Sequence, residues 1–160
     1  MLNRKTQYGL HALLHLGRHA DEYVGASKIA DHIGSSLKYL EQILAELKNE
    51  GWIDSKAGRD GGYQLAIPAD HINLADLVRV LEGPIALVPC ASHRFYEPCE
   101  SCETPDLCGA QDAFVQLRND MVYSMKQVSI KDILEREIRL KSGAQIIQKP
   151  TPYVAPKGTE

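Results

Sequence analysis

Residues 26–51 read ASKIADHIGSSLKYLEQILAELKNEG, and residues 52–67 continue WIDSKAGRDGGYQLAI. In the first stretch Ile29, Ala30, Ile33, Leu37, Leu40, Ile43, Leu44 and Leu47 keep helical register on both sides of a break at Gly34-Ser35. Gly34 suits a tight left-handed turn, and Ser35 or Ser36 can cap the second helix by accepting a hydrogen bond from its free amides. Two short helices joined by a glycine turn make a helix-turn-helix; an ordinary helical hairpin with a solvated face has the same pattern. The second stretch separates them. Residues 52–57 and 63–67 read as short strands around Gly58-Arg59-Asp60-Gly61-Gly62, a hairpin loop that lacks the Gly-Lys-Ser/Thr ending of a phosphate-binding loop. A helix-turn-helix followed at once by a β-hairpin is a winged helix. The fold class expected is mainly α, with a small β-hairpin wing and a long C-terminal dimerisation helix.

In that frame the second helix is the recognition helix. Its polar N-terminal face carries Ser36, Lys38, Tyr39 and Gln42. Lys38 and the first-turn amides suit phosphate, and Gln42 can hydrogen-bond an adenine edge. Lys28 on the preceding helix and Arg59 at the wing tip, with Lys56, complete the expected double-stranded DNA contacts. The formal net charge is −3. Any nucleic-acid surface is therefore a local patch, with salt-sensitive binding.

Upstream, residues 3–20 read as a helix with Tyr8, Leu10, Ala12, Leu13, Leu14 and Leu16 on an apolar stripe. His11, His15 and His19 recur every four residues on one face. A polar or half-buried helix face explains them better than a metal site, because no carboxylate completes a zincin-type motif. Downstream, residues 72–82 form a helix capped by Asn73 and ended by Gly83-Pro84. Residues 109–127 form a long helix with Ala110, Phe114, Leu117, Met121 and Met125 on one stripe, and Ser129 caps a short helix over Ile130–Leu140. The long stripe has no core of its own to cover, so a two-fold homodimer reading two half-sites is expected. The units expected are a DNA-binding domain at 1–83, a cysteine loop at 84–108, the dimerisation helix and short helix at 109–140, and a disordered tail at 141–160.

All four cysteines of the 160-residue chain fall in one loop, CASHRFYEPCESCETPDLC, at Cys90, Cys99, Cys102 and Cys108. Soft thiolates so clustered select zinc, copper(I) or an iron–sulfur cluster. No apolar run is long enough for a membrane span, and the basic residues near the start lie inside the apolar pattern rather than before it, so a cytoplasmic protein with no membrane partner is expected. In that compartment clustered cysteines are metal ligands or redox thiols more often than structural disulfides. A thiol redox enzyme using Cys99 and Cys102 is a remote alternative, since the pair does not open a helix in a βαβ setting.

Taken together, TQYGLHALLHLG, KIADHIG with YLEQILAELKNEGWI, the GRDGGYQLA wing, INLADLVRVLEG and the LVPC cysteine loop resemble the iron–sulfur cluster regulator family of winged-helix bacterial transcription factors, the IscR and NsrR type, over about residues 1–136. The resemblance implies a homodimeric repressor or activator, not an enzyme. It also implies an iron–sulfur cluster, two-iron or four-iron, held mainly by three loop cysteines, with a fourth ligand often supplied by the first helix of the other subunit. Here the loop has four cysteines. Cys102 and Cys108 match the family's last two, and the first is Cys90 or Cys99. Where some members carry an acidic ligand this chain has Gln7, with His11 one turn later; where some use a histidine it has Gln111; and Ala57 stands where many have arginine. The implied ligand set is all four cysteines, or three with His11. Loss, oxidation or nitrosylation of the cluster would alter the spacing of the recognition helices and hence DNA affinity. The alternative within the same fold is zinc or free thiols, serving as a structural tie or an oxidation sensor.

Overall fold

The structure is a computed structural model that describes residues 2–99, 104 and 107–143. Cys102 and most of the expected tail, 144–160, lie outside the described residues. The elements run α1 (Arg4–Arg18), α2 (Ala26–Ile33), α3 (Leu37–Asn49), β1 (Ile53–Lys56), β2 (Gly62–Leu65), α4 (Leu74–Leu81), α5 (Gly109–Lys126) and α6 (Ile130–Lys141). Single 3₁₀ turns stand at Ala69–His71 and Pro89–Ala91.

Helices α1, α3, α4 and α6 begin where a short polar side chain takes a free amide. Asn3 Oδ1 accepts from the Thr6 amide at 2.9 Å, Ser36 Oγ from Tyr39 at 3.3 Å, and Asn73 Oδ1 from Asp76 at 3.0 Å. Caps of this kind contribute about 1 kcal/mol each. Between α2 and α3, Gly34 sits at φ 69° and turns the chain sharply. The apolar stripes then meet. Leu13 and Leu16 of α1, Ile29 of α2, Leu40, Ile43, Leu44 and Leu47 of α3, Ile53 of β1 and Leu77 of α4 are fully buried in one cluster. Burying each such side chain contributes about 1.5–3 kcal/mol.

β1 and β2 pair antiparallel, with Ile53 opposite Leu65 and Lys56 opposite Gly62. The wing is anchored at its base, where Val24 and Tyr63 exchange backbone hydrogen bonds of 2.9 Å. Gly62 makes that approach possible: its φ is 152°, and a Cβ there would run into the Val24 carbonyl. Gly62→Val is expected to cost about 1–3 kcal/mol of folding stability, read as a lower urea midpoint. An unchanged midpoint would mean the wing base yields freely.

The chain closes on itself after α5. Leu74 N donates to Val128 O and Ile130 N to Ile72 O, each at 2.9 Å, so the starts of α4 and α6 are zipped together. Ser129 and Asp132 form a reciprocal capping box, and the Ser129 hydroxyl and amide hold the Asp132 carboxyl below the usual carboxylate range. Ile130 is fully buried in the winged-helix core, and α6 packs along α1. α5 packs against α4 and the Pro89–Ala91 turn, and α6 ties its far end back to the winged-helix body.

Candidate functional site

The cap at Ser36 aims the first turn of α3 outward. Lys38 and Gln42 are exposed on it, on the side away from buried Leu40, Ile43 and Leu44. Ser36 is exposed, with its oxygen engaged in the cap. Tyr39 differs: it is half-buried, its ring edge-on to Tyr8 at 6.0 Å between centroids, so its body packs α3 against α1. Lys28 is exposed on α2, and Arg59 is exposed at the wing tip beside Gly58 at φ 111°. Lys56, at the end of β1, stands 5.8 Å from the centre of the Tyr23 ring, a cation–π contact that steadies the wing.

The cysteine loop has more local order than its composition suggests. Cys90 lies in the Pro89–Ala91 turn and is buried, and its Sγ is 3.8 Å from Cys99 Sγ. Burial pushes the Cys90 thiol up, and the Cys99 thiol beside it pushes it further. Cys108 is the N-cap of α5, its sulfur accepting from the Gln111 amide at 3.4 Å. From the next turn the Gln111 side chain donates to the Cys90 carbonyl at 2.9 Å. The two ends of the loop are thus tied by one helical turn. Two thiolates on one tetrahedral metal, each at about 2.3 Å, lie about 3.8 Å apart. The Cys90–Cys99 pair has that separation, so these two thiols are spaced as two ligands of a thiolate-held metal would be. Among the described residues no three such groups converge in metal-holding range, and His11 is exposed on α1 without joining the cysteines.

α5 buries one side chain, Arg118. Of its apolar stripe, Phe114, Met121 and Met125 are half-buried and Leu117 is 53% exposed. Among the described residues no helix is long and apolar enough to cross a membrane.

The same architecture occurs in known proteins. A family model described as Rrf2, an iron-dependent transcriptional regulator, matches residues 2–136. The chain belongs to the Rrf2 family. An Rrf2-like helix-turn-helix transcriptional regulator of Rhodobacter capsulatus is 31% identical over 138 residues, covering 84% of this chain and 92% of the relative. Among solved structures, CymR, the global cysteine regulator of B. subtilis, matches with a TM-score of 0.70 and 28% identity over 85% of this chain and 97% of its own. IscR of T. potens matches with a TM-score of 0.69 and 26% identity over 93% of each chain. This Rrf2 protein is a DNA-binding transcriptional regulator and not an enzyme.

Two features of the Rrf2 chain had no signal in periodicity. Gln111 reads as an ordinary helix-surface residue, yet it braces the Cys90 backbone. The histidine face also divides. His15 is buried, its ring tilted against His19 at 4.8 Å and against His32 of α2 at 4.3 Å between ring centres, and His19 Nδ1 lies 2.7 Å from Glu22. Burial holds the His15 imidazole below its ordinary pKa of 6.5, and His32, His19 and Arg18 lower it further. An unfolded chain takes up a proton there as pH falls through about 6.5, while the folded one resists. Stability is therefore highest on the neutral side and declines below about pH 6.5. His15→Gln is expected to flatten that decline, measured as Tm from about pH 7.5 down to 5. Parallel Tm curves for the two proteins would exclude His15 as its source.

Proposed function

We propose that this Rrf2 protein is a homodimeric regulator whose operator affinity is set by an iron–sulfur cluster held in the Cys90–Cys108 loop. The observation that carries the reading is the 3.8 Å separation of Cys90 and Cys99, with Cys108 tied to the same backbone through Gln111. Cys90, Cys99, Cys102 and Cys108 would hold the cluster, or three of them with His11 from the other subunit. The same residues would serve a two-iron or a four-iron centre. Bound, such a cluster supplies a centre reactive toward oxygen, electrons and nitric oxide.

The chain's own residues do the rest. The loop joins α4 of the DNA-binding body to the start of α5, so tightening it at Cys90 and Cys108 fixes the angle of α5. The apolar stripe of α5 packs on a second copy across a two-fold axis. That angle then sets the distance between two α3 helices, which must reach half-sites about 34 Å apart. Lys28, Lys38, Arg59 and the Ser36 turn grip phosphates, Gln42 reads a base edge, and half-buried Tyr39 adds a hydroxyl able to reach a phosphate.

The 3.8 Å pair equally fits zinc, which gives the second reading: a thiolate tie with no redox response. The deciding experiment is a purification without air, with iron, sulfide and zinc counted. Brown protein with equimolar iron and sulfide supports the cluster. Colourless protein with one zinc per chain overturns it in favour of the tie.

A further inference from the structure

We propose that the cavity between the end of α4, residues 83–95 and α5 binds a small carboxylate with an apolar body. The cavity encloses about 250 Å³. Pockets for drug-sized molecules begin at roughly 300 Å³, so this one suits a small metabolite.

Arg118 carries the inference. It is 4% exposed and lines the cavity. Its Nη2 donates to His93 Nε2 and to Asn119 Oδ1, both uncharged acceptors. Its Nε is buried and has no hydrogen-bond partner among the described residues. A guanidinium cannot shed its charge at physiological pH, and a buried charge without a counter-ion is costly. Among the described residues Arg118 forms no ion pair. Arg79 and Arg94 also line the cavity, and among the described residues no aspartate or glutamate does. Arg79 is partly satisfied by Asp76 at 3.0 Å, so the unmet demand for an anion is concentrated on Arg118.

The walls specify what else the ligand carries. Ile85, Phe95 and Val122 line the cavity beside the cations. A bare inorganic anion would leave those walls in contact with water, whereas an apolar or aromatic body covers them. A planar carboxylate matches the guanidinium fork. No cysteine lines this cavity, so the site stands independently of the iron–sulfur reading. Its walls come from the DNA-binding body, the loop and α5 together. A bound carboxylate would therefore bridge the three parts whose relative placement sets the dimer.

The test uses the full-length protein and 4-fluorobenzoate, followed by ¹⁹F NMR. The expected result is saturable binding of one molecule per chain. Arg118→Met, and separately 4-fluorobenzyl alcohol in place of the acid, should each weaken binding by about tenfold or more, the scale of a lost charged hydrogen bond. Because Arg118 has no counter-ion among the described residues, Arg118→Met should fold with an unchanged or higher Tm. Phe95→Ala, a change at an exposed wall residue, should weaken the acid without altering Tm. Equal binding of acid and alcohol, equal binding to Arg118→Met, or no saturation by about 10 mM, weaker than any useful affinity on the usual scale, overturns the proposal. Inorganic phosphate that displaces the probe at equal concentration overturns the apolar part of the assignment. Dissociation of a dimer by Arg118→Met would place the missing counter-charge on a second copy, and overturns it as well.

Discussion

Cys90→Ala purified without air is expected to be colourless, to lack iron and sulfide, and to differ from the intact protein in operator affinity by roughly 5–150-fold, the usual span of a coupling between two sites. Cys90 is the buried member of the close sulfur pair and sits on the backbone that Gln111 clamps. On the cluster reading its replacement takes away a ligand and leaves Cys99, an exposed side chain, without its close sulfur partner. Cys108→Ala should do the same by a second route. It removes a ligand and also the cap that starts α5, so it should lower Tm by the equivalent of about 1 kcal/mol where Cys90→Ala need not. Gln111→Leu keeps all four cysteines and loses only the clamp; its cluster should form but bleach faster in air, followed by absorbance. A Cys90→Ala protein that stays brown with normal iron and sulfide would remove this residue from the ligand set.

The second large effect is expected on the reading face. Gln42→Ala should cost about 1–3 kcal/mol at one base position and relax preference there. Lys38→Ala should weaken all sequences alike and reduce the salt slope of binding by about one. The difference follows from placement, since both side chains are exposed on the first turns of α3 but carry different chemistry, an amide fork against a point charge. Arg59→Ala should behave like Lys38→Ala, through the wing. Tyr39→Phe should change little in fold, because its ring packs on Tyr8 through its body. Titrations against one operator and one mismatched duplex at several salt concentrations distinguish these outcomes. An unchanged salt slope in both Lys38→Ala and Arg59→Ala would move the phosphate contacts to other residues.

The winged helix was legible because its signals are local. Ser36, Asn73 and Ser129 cap helices within three residues of themselves, and the apolar register of residues 26–51 needs no distant partner to be seen. The return of α6 to α1 was not legible, since Ile130 meets its core neighbours across more than a hundred residues and a short helix carries no label for where it docks. The same holds for the histidines. Spacing of four puts His11 with His15 and His19, but the cluster around buried His15 is completed by His32 from another helix, and His11 is left on the surface. Arginine in a helix stripe reads as solvent-facing, so the burial of Arg118 was invisible. The loop spacing marked the cysteines as one site, and the structure brings Cys90 and Cys99 together; Cys102 lies outside the described residues.

The most direct measurement is the operator dissociation constant of a single air-free preparation, taken before and after its iron and sulfide are stripped, with both counted each time. A loop-held centre that governs the dimer's reach predicts a change of about tenfold or more between the two states. Equal constants, with metal counted present in the first and absent in the second, would contradict it.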